Sequence, residues 1–122
     1  MADAPAKPTI LVLEDAVAIR ALVRVILEEA GYGVLEAGTV DEAARQIEGA
    51  AQRPRALVCD VNIPGENSLA GVGRLQQIEP TLKVLYISGE SVGTALPPGS
   101  AFLQKPFPPD ALLKKIEGLL AG

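Results

Sequence analysis

The 122-residue chain contains no histidine and no tryptophan, one cysteine, one methionine and four aromatic residues, Tyr32, Tyr86, Phe102 and Phe107. Each scarcity excludes something. Without histidine there is no imidazole to act as general base, metal ligand or phosphoryl carrier, so any chemistry must rest on carboxylates, hydroxyls and lysines. A single thiol forms no internal disulfide and, with no imidazole, builds no zinc site. Cys59 lies inside an apolar run and reads as a small core residue. With so few aromatics the core must be aliphatic. No apolar stretch approaches the ~20 residues that cross a bilayer. The opening "MADAPAKP" lacks the apolar region of a secretion signal, so residues 1–8 read as a disordered lead and the chain as cytoplasmic. Acidic residues outnumber basic ones, 15 to 11, and no face is evidently basic, so a nucleic-acid footprint is not expected.

What remains is an alternation of two periodicities. "TILVLED" (9–15) is a continuous apolar run rich in β-branched residues, the pattern of a strand buried on both faces. From Ala16 to Ala30 the period becomes helical, with Ile19, Leu22, Val23, Ile26 and Leu27 on one stripe and Gly31 as the stop. "YGVLEA" (32–37) is a weaker strand. Thr39 and Glu42 stand at capping-box spacing before a helix that buries Val40, Ala43, Ala44 and Ile47. "RALVCD" (55–60), "LKVLYIS" (82–88) and "SAFLQK" (100–105) are three further strands. A helix over Leu69–Ile78 ends at Pro80, and a last one opens at Pro108-Pro109 with Leu112, Leu113, Ile116, Leu119 and Leu120 inward. Strands alternating with helices predict one α/β domain, residues 9–122, with a parallel sheet covered on both faces.

Four of these strands end in polar groups: Glu14 and Asp15, Asp60, Ser88, and Lys105. In a parallel sheet those ends share one rim, where open α/β sheets bind ligands. Crowded carboxylates repel unless a cation lies among them, and oxygen ligands alone suit Mg²⁺. A lysine and a hydroxyl beside them can neutralise and hydrogen-bond a phosphoryl group, and a carboxylate can be its acceptor. Taken singly each residue has a plainer reading. Asp15 could cap the first helix, Asp60 could open an Asx-turn, Ser88 could be a loop residue, and Lys105 a solvated lysine. Jointly the plainer readings weaken, because four separate strand ends would each have to supply such a group by accident.

On these residues the chain resembles the receiver domain of bacterial two-component response regulators, from Ile10 to Leu120. "LVLEDA" is similar to that family's acidic pair after the first strand, "CDVNIPGENSL" to its phosphoacceptor loop, "VLYISGE" to its hydroxyl-bearing fourth strand and "FLQKPF" to its lysine–proline–phenylalanine signature. The resemblance implies a flavodoxin-like, doubly wound five-stranded parallel sheet of order 2-1-3-4-5. It implies Asp60 as phosphoacceptor, served by a histidine kinase or histidine phosphotransfer protein. Glu14, Asp15, Asp60 and the backbone carbonyl of Asn62 would hold Mg²⁺. Ser88 and Lys105 would bind the phosphoryl oxygens, and Phe102 would switch inward with Ser88, unless it is an ordinary core aromatic. The side chains of Asn62 and Glu90 would influence the phosphoryl lifetime. In the family the Lys105–Pro106 junction is commonly cis.

Two departures accompany the resemblance. Ser68 stands where glycine is usual. The 12 residues 89–100, "GESVGTALPPGS", are too few and too rich in Gly and Pro for the helix normally found there, which is expected to shrink to about one turn or vanish. That helix normally helps form the output surface, so the chemistry should survive while this surface changes. The expected activity is that of a stand-alone receiver that signals by contact with a downstream protein or serves as a phosphate sink, with no membrane or nucleic-acid partner. Three rivals are a pseudo-receiver that binds partners without phosphorylation, a phosphohydrolase with an aspartyl nucleophile, and a flavodoxin. The phosphohydrolase would need a second aspartate where Asn62 stands, and the flavodoxin would need a phosphate loop after its first strand.

Overall fold

A computed structural model describes residues 7–63, 65, 67–89 and 96–121. Five strands and four helices alternate: β1 (Thr9–Leu13), α1 (Val17–Glu29), β2 (Gly33–Ala37), α2 (Val40–Gly49), β3 (Ala56–Asp60), α3 (Ser68–Ile78), β4 (Lys83–Ser88), β5 (Ala101–Gln104) and α4 (Pro109–Ala121). All strand pairings are parallel, and the order is β2-β1-β3-β4-β5. This is the doubly wound order expected from the sequence. Every β1 and β3 residue is buried, which is why those segments read as unbroken apolar runs.

The sheet separates two aliphatic layers. Leu11, Leu13, Leu57, Cys59, Val84 and Tyr86 point to one face, under Ala43, Ala44 and Ile47 of α2 and Val72 and Leu75 of α3. Ile10, Val12, Val58, Leu85 and Ile87 point to the other, under Val23, Ile26 and Leu27 of α1 and Leu112, Ile116 and Leu119 of α4. Each fully buried leucine or isoleucine is worth about 1.5–3 kcal/mol relative to exposure, so these layers hold the rim rigid.

Local signals end the elements where the sequence marks them. Gly31 adopts φ 100° just after α1, a conformation that side chains rarely tolerate. Thr39 Oγ1 accepts from the Glu42 N–H at 3.1 Å and so caps α2. Two stripe residues depart from expectation. Leu22 is 56% exposed and Leu69 is 41% exposed. On α1 the buried set narrows to Val23, Ile26 and Leu27, because the sheet covers only that side of the cylinder.

Between β4 and β5 no helix occurs among the described residues, and residues 90–95 lie outside them. The described part closes in a turn. Gly99 takes φ 84°, and the Ser100 N–H donates to the Pro97 carbonyl at 3.2 Å. A groove of about 420 Å³, lined in part by Val84, Tyr86 and residues 97–100, opens on this flank.

Close packing of α2 on α3 generates a paired prediction. A Cβ at Gly71 would come within 2.6 Å of Val40 Cγ2, whereas one at Gly73 would meet nothing within 4 Å. Urea unfolding should therefore show Gly71→Ala destabilised by about 1–3 kcal/mol and Gly73→Ala stabilised by about 0.5–1 kcal/mol. Equal effects at the two positions would contradict this packing.

Candidate functional site

The carboxyl-end rim gathers six of the residues singled out by sequence. Glu14 follows β1 directly and is 1% exposed. Its backbone is held at both ends: its N–H donates to the Ala37 carbonyl at 3.0 Å, and its carbonyl accepts from Arg20 Nη1 at 2.9 Å. Its carboxylate is also committed, Oε2 accepting from the Ala16 N–H at 3.0 Å and Oε1 from Lys105 Nζ at 2.9 Å. Asp60, the last residue of β3, accepts from Lys105 Nζ on Oδ2 at 2.6 Å and from the Asn62 N–H on Oδ1 at 2.7 Å. One lysine thus bridges two carboxylates that come from different strands. Lys105 reaches them from the loop after β5, where its N–H donates to the Ser88 carbonyl at 2.7 Å and its peptide with Pro106 is cis.

Asp15 is exposed, yet carboxylate oxygens of Glu14, Asp15 and Asp60 lie within 4.8 Å of one another. Its plainer reading as a helix cap does not hold, since the N-cap of α1 is Ala16 and no side chain caps it. For Asp60 the plainer reading is also true: the bond from the Asn62 N–H is an Asx-type contact that shapes the loop. Ser88 ends β4, is 2% exposed, and its Oγ accepts from Asn62 Nδ2 at 3.2 Å. Phe102 lies on β5 opposite Tyr86, partly buried against the α2–α3 side of the core. Glu90 lies outside the described residues.

Burial pushes the Glu14 carboxyl above its ordinary range, and the neighbouring Asp60 adds to this, while the Ala16 N–H and Lys105 pull it back. Burial alone would lower Lys105. Its hydrogen bonds and charge pairing with Asp60 and Glu14 outweigh that and raise it. Three carboxylates facing one ammonium leave two negative charges at the rim, presented only through oxygen. That donor set and charge fit a divalent hard cation such as Mg²⁺.

Two contributors were missed in the sequence. Arg20 reaches back from α1 to the Glu14 carbonyl and pairs with Glu36 of β2 at 3.4 Å. Gly38 leaves it room, since a Cβ there would stand 3.0 Å from Arg20 Nη1. An arginine six residues after Glu14 is the sequence trace of this. Ser68, noted as a departure, turns its buried hydroxyl onto the carbonyls of Asp60 and Val61, both at 2.9 Å. It therefore ties the start of α3 to the end of β3 and the residue after it.

Glu14 also yields a pH prediction. Its folded pKa lies above the ordinary glutamate value of about 4.3, so the folded state holds this proton longer than the unfolded chain does. The resulting contribution is full below that value and lost as pH rises through the raised one. In urea titrations from acid to neutral pH, wild type should lose stability relative to Glu14→Gln across that window. Parallel profiles would show that the carboxyl is not perturbed by its setting.

A family model described as "Response regulator receiver domain" matches residues 10–117. The chain is 34% identical over 97 residues to the transcriptional activator protein ExaE of Pseudomonas putida, covering 75% of this chain and 44% of that protein. It is 31% identical to the C4-dicarboxylate transport transcriptional regulatory protein DctD of Pseudomonas aeruginosa, covering 94% of this chain and 26% of that protein. The chain thus spans less than half the length of these two relatives. Among solved structures, the receiver domain of the hybrid histidine kinase CckA is 30% identical with TM-score 0.77, covering 92% of this chain and 98% of that one. A CheY-like receiver domain protein from Methanospirillum hungatei is 25% identical with TM-score 0.79, each chain 95% covered.

Proposed function

Because the chain belongs to the response regulator receiver domain family, we propose that it accepts a phosphoryl group on Asp60 from a phosphohistidine of a partner kinase or phosphotransfer protein. The observation that carries this reading is the bridge from Lys105 Nζ to Asp60 Oδ2 and Glu14 Oε1, which sets a cation beside the acceptor. In the transfer, a carboxylate oxygen of Asp60 attacks phosphorus, the P–N bond breaks, and the donor imidazole nitrogen leaves with its electron pair. The product is an acyl phosphate on Asp60.

The residues divide the work. Lys105 pairs with the charge that accumulates on the phosphoryl oxygens, and Ser88 donates its hydroxyl to one of them. Glu14, Asp15 and Asp60, with the Asn62 carbonyl, would hold Mg²⁺. When bound, that ion neutralises phosphoryl and carboxylate oxygens together. Arg20 keeps Glu14 in place by holding its carbonyl, and Ser68 does the same for the Asp60 end of β3. Ser88 and Phe102 are the elements through which the loaded site would be read, at a flank where a Pro-Gly turn adjoins β5. Asn62 and Glu90 would set how fast water removes the group.

This reading makes the chain a signalling phosphoacceptor and not a turnover enzyme. The downstream partner is a protein that recognises the β4–β5 flank in its loaded form, and the setting is cytoplasmic. Among the described residues no helix is long and apolar enough to cross a membrane.

Incubation with a phosphoramidate or acetyl phosphate donor and Mg²⁺ should produce one hydroxylamine-labile acyl phosphate per chain, seen by ³¹P resonance or mass. Chelation should suppress it, and Asp60→Asn should abolish it. Equal labelling of Asp60→Asn would overturn the assignment, as would steady release of phosphate from small phosphate esters.

A further inference from the structure

The carbonyl that Arg20 holds belongs to the peptide joining Glu14 to Asp15. That peptide is a rigid plane carrying the Cα atoms of both residues, so fixing its oxygen fixes the starting points of two of the three rim carboxylates. Arg20 Nη1 donates to this oxygen at 2.9 Å, while its Nε donates to Glu36 Oε1 at 3.4 Å. Glu36 is itself anchored. Its other oxygen accepts from Arg24 Nη1 at 3.2 Å, and its carbonyl accepts from Gln46 Nε2 at 3.1 Å. Gly38 leaves the guanidinium its place, because a Cβ there would stand 3.0 Å from Nη1.

We propose that Glu36, on edge strand β2, is a positioning residue for the rim's cation site and acts on it through Arg20. The inference rests on the reading of the rim as the Mg²⁺ site of a phosphoacceptor and deepens it. A guanidinium is a rigid fork, so the two acceptors of Arg20 are coupled: moving Glu36 reorients the donor on the Glu14 carbonyl. Lysine has the charge but not the fork, and cannot span both acceptors in the same way. Electrostatics alone makes the opposite forecast for Arg20, since removing a positive charge near a cation site should tighten cation binding. The sign of the effect therefore separates positioning from field.

Mg²⁺ affinity, measured calorimetrically at about 0.15 M ionic strength to screen distant charges, tests this. Ion pairs this exposed add little to stability, so the variants should stay folded, which circular dichroism checks. Arg20→Met should weaken binding about 10-fold, the low end for loss of an outer partner of a metal ligand. Arg20→Lys, at unchanged charge, should weaken it too. Glu36→Gln should weaken it about 3-fold in the wild-type background and by less than about 1.5-fold in Arg20→Met, where its partner is gone. Unchanged or tighter binding by either Arg20 variant overturns the proposal, and so does an equal Glu36→Gln effect in both backgrounds. Wild type that binds no Mg²⁺ would overturn the cation-site reading as well, a distinct result.

Discussion

The structure at the rim depends on one ammonium group shared by two buried carboxylates. Glu14 and Asp60 arrive from neighbouring strands and stand close enough for their charges to conflict. Lys105, delivered from the far edge of the sheet, bonds to both. Removing either carboxylate from water is costly unless it is paired, and the lysine supplies the pairing. It does not neutralise the site, because Asp15 adds a third carboxylate. The excess of carboxylates over ammonium, offered only through oxygen, is a donor set that fits a divalent hard cation.

The fold exists to deliver these groups. Parallel pairing sends every strand's carboxyl end to the same side, so residues 91 apart in sequence, Glu14 and Lys105, meet at 2.9 Å. The aliphatic layers on both faces hold the strands in register, and short bonds from backbone to side chain fix the loops. Arg20 on the Glu14 carbonyl and Ser68 on the Asp60 and Val61 carbonyls are two such restraints. Both act on backbone, so they hold the site's shape without occupying its ligand positions.

Much of this was legible in the chain because it depends on periodicity and on position. Continuous apolar runs ending in Asp60, Ser88 and Lys105 reveal both the buried strands and the polar rim. Thr39 and Glu42 mark a helix start by spacing alone. What remained hidden depends on direction in space. Leu22 and Leu69 fit a helical stripe, yet the sheet covers too narrow an arc to bury them. Arg20 lies on a helix whose pattern says only that it is amphipathic, and nothing in that pattern tells that its guanidinium turns back to Glu14. Ser68 was visible as a departure from its family, but its hydrogen bonds follow from the approach of α3 to the β3 end. The link from Asn62 to Ser88 crosses 26 residues and has no sequence signature.

The most direct test of the account is whether the three carboxylates act as one cation site. Mg²⁺ titration calorimetry on wild type and Asp15→Asn would measure this without any phosphoryl donor. The account predicts one Mg²⁺ per wild-type chain and an affinity at least about 10-fold weaker in Asp15→Asn. Equal affinity in the two proteins, or no binding by wild type, would show that the rim's carboxylates do not share an ion.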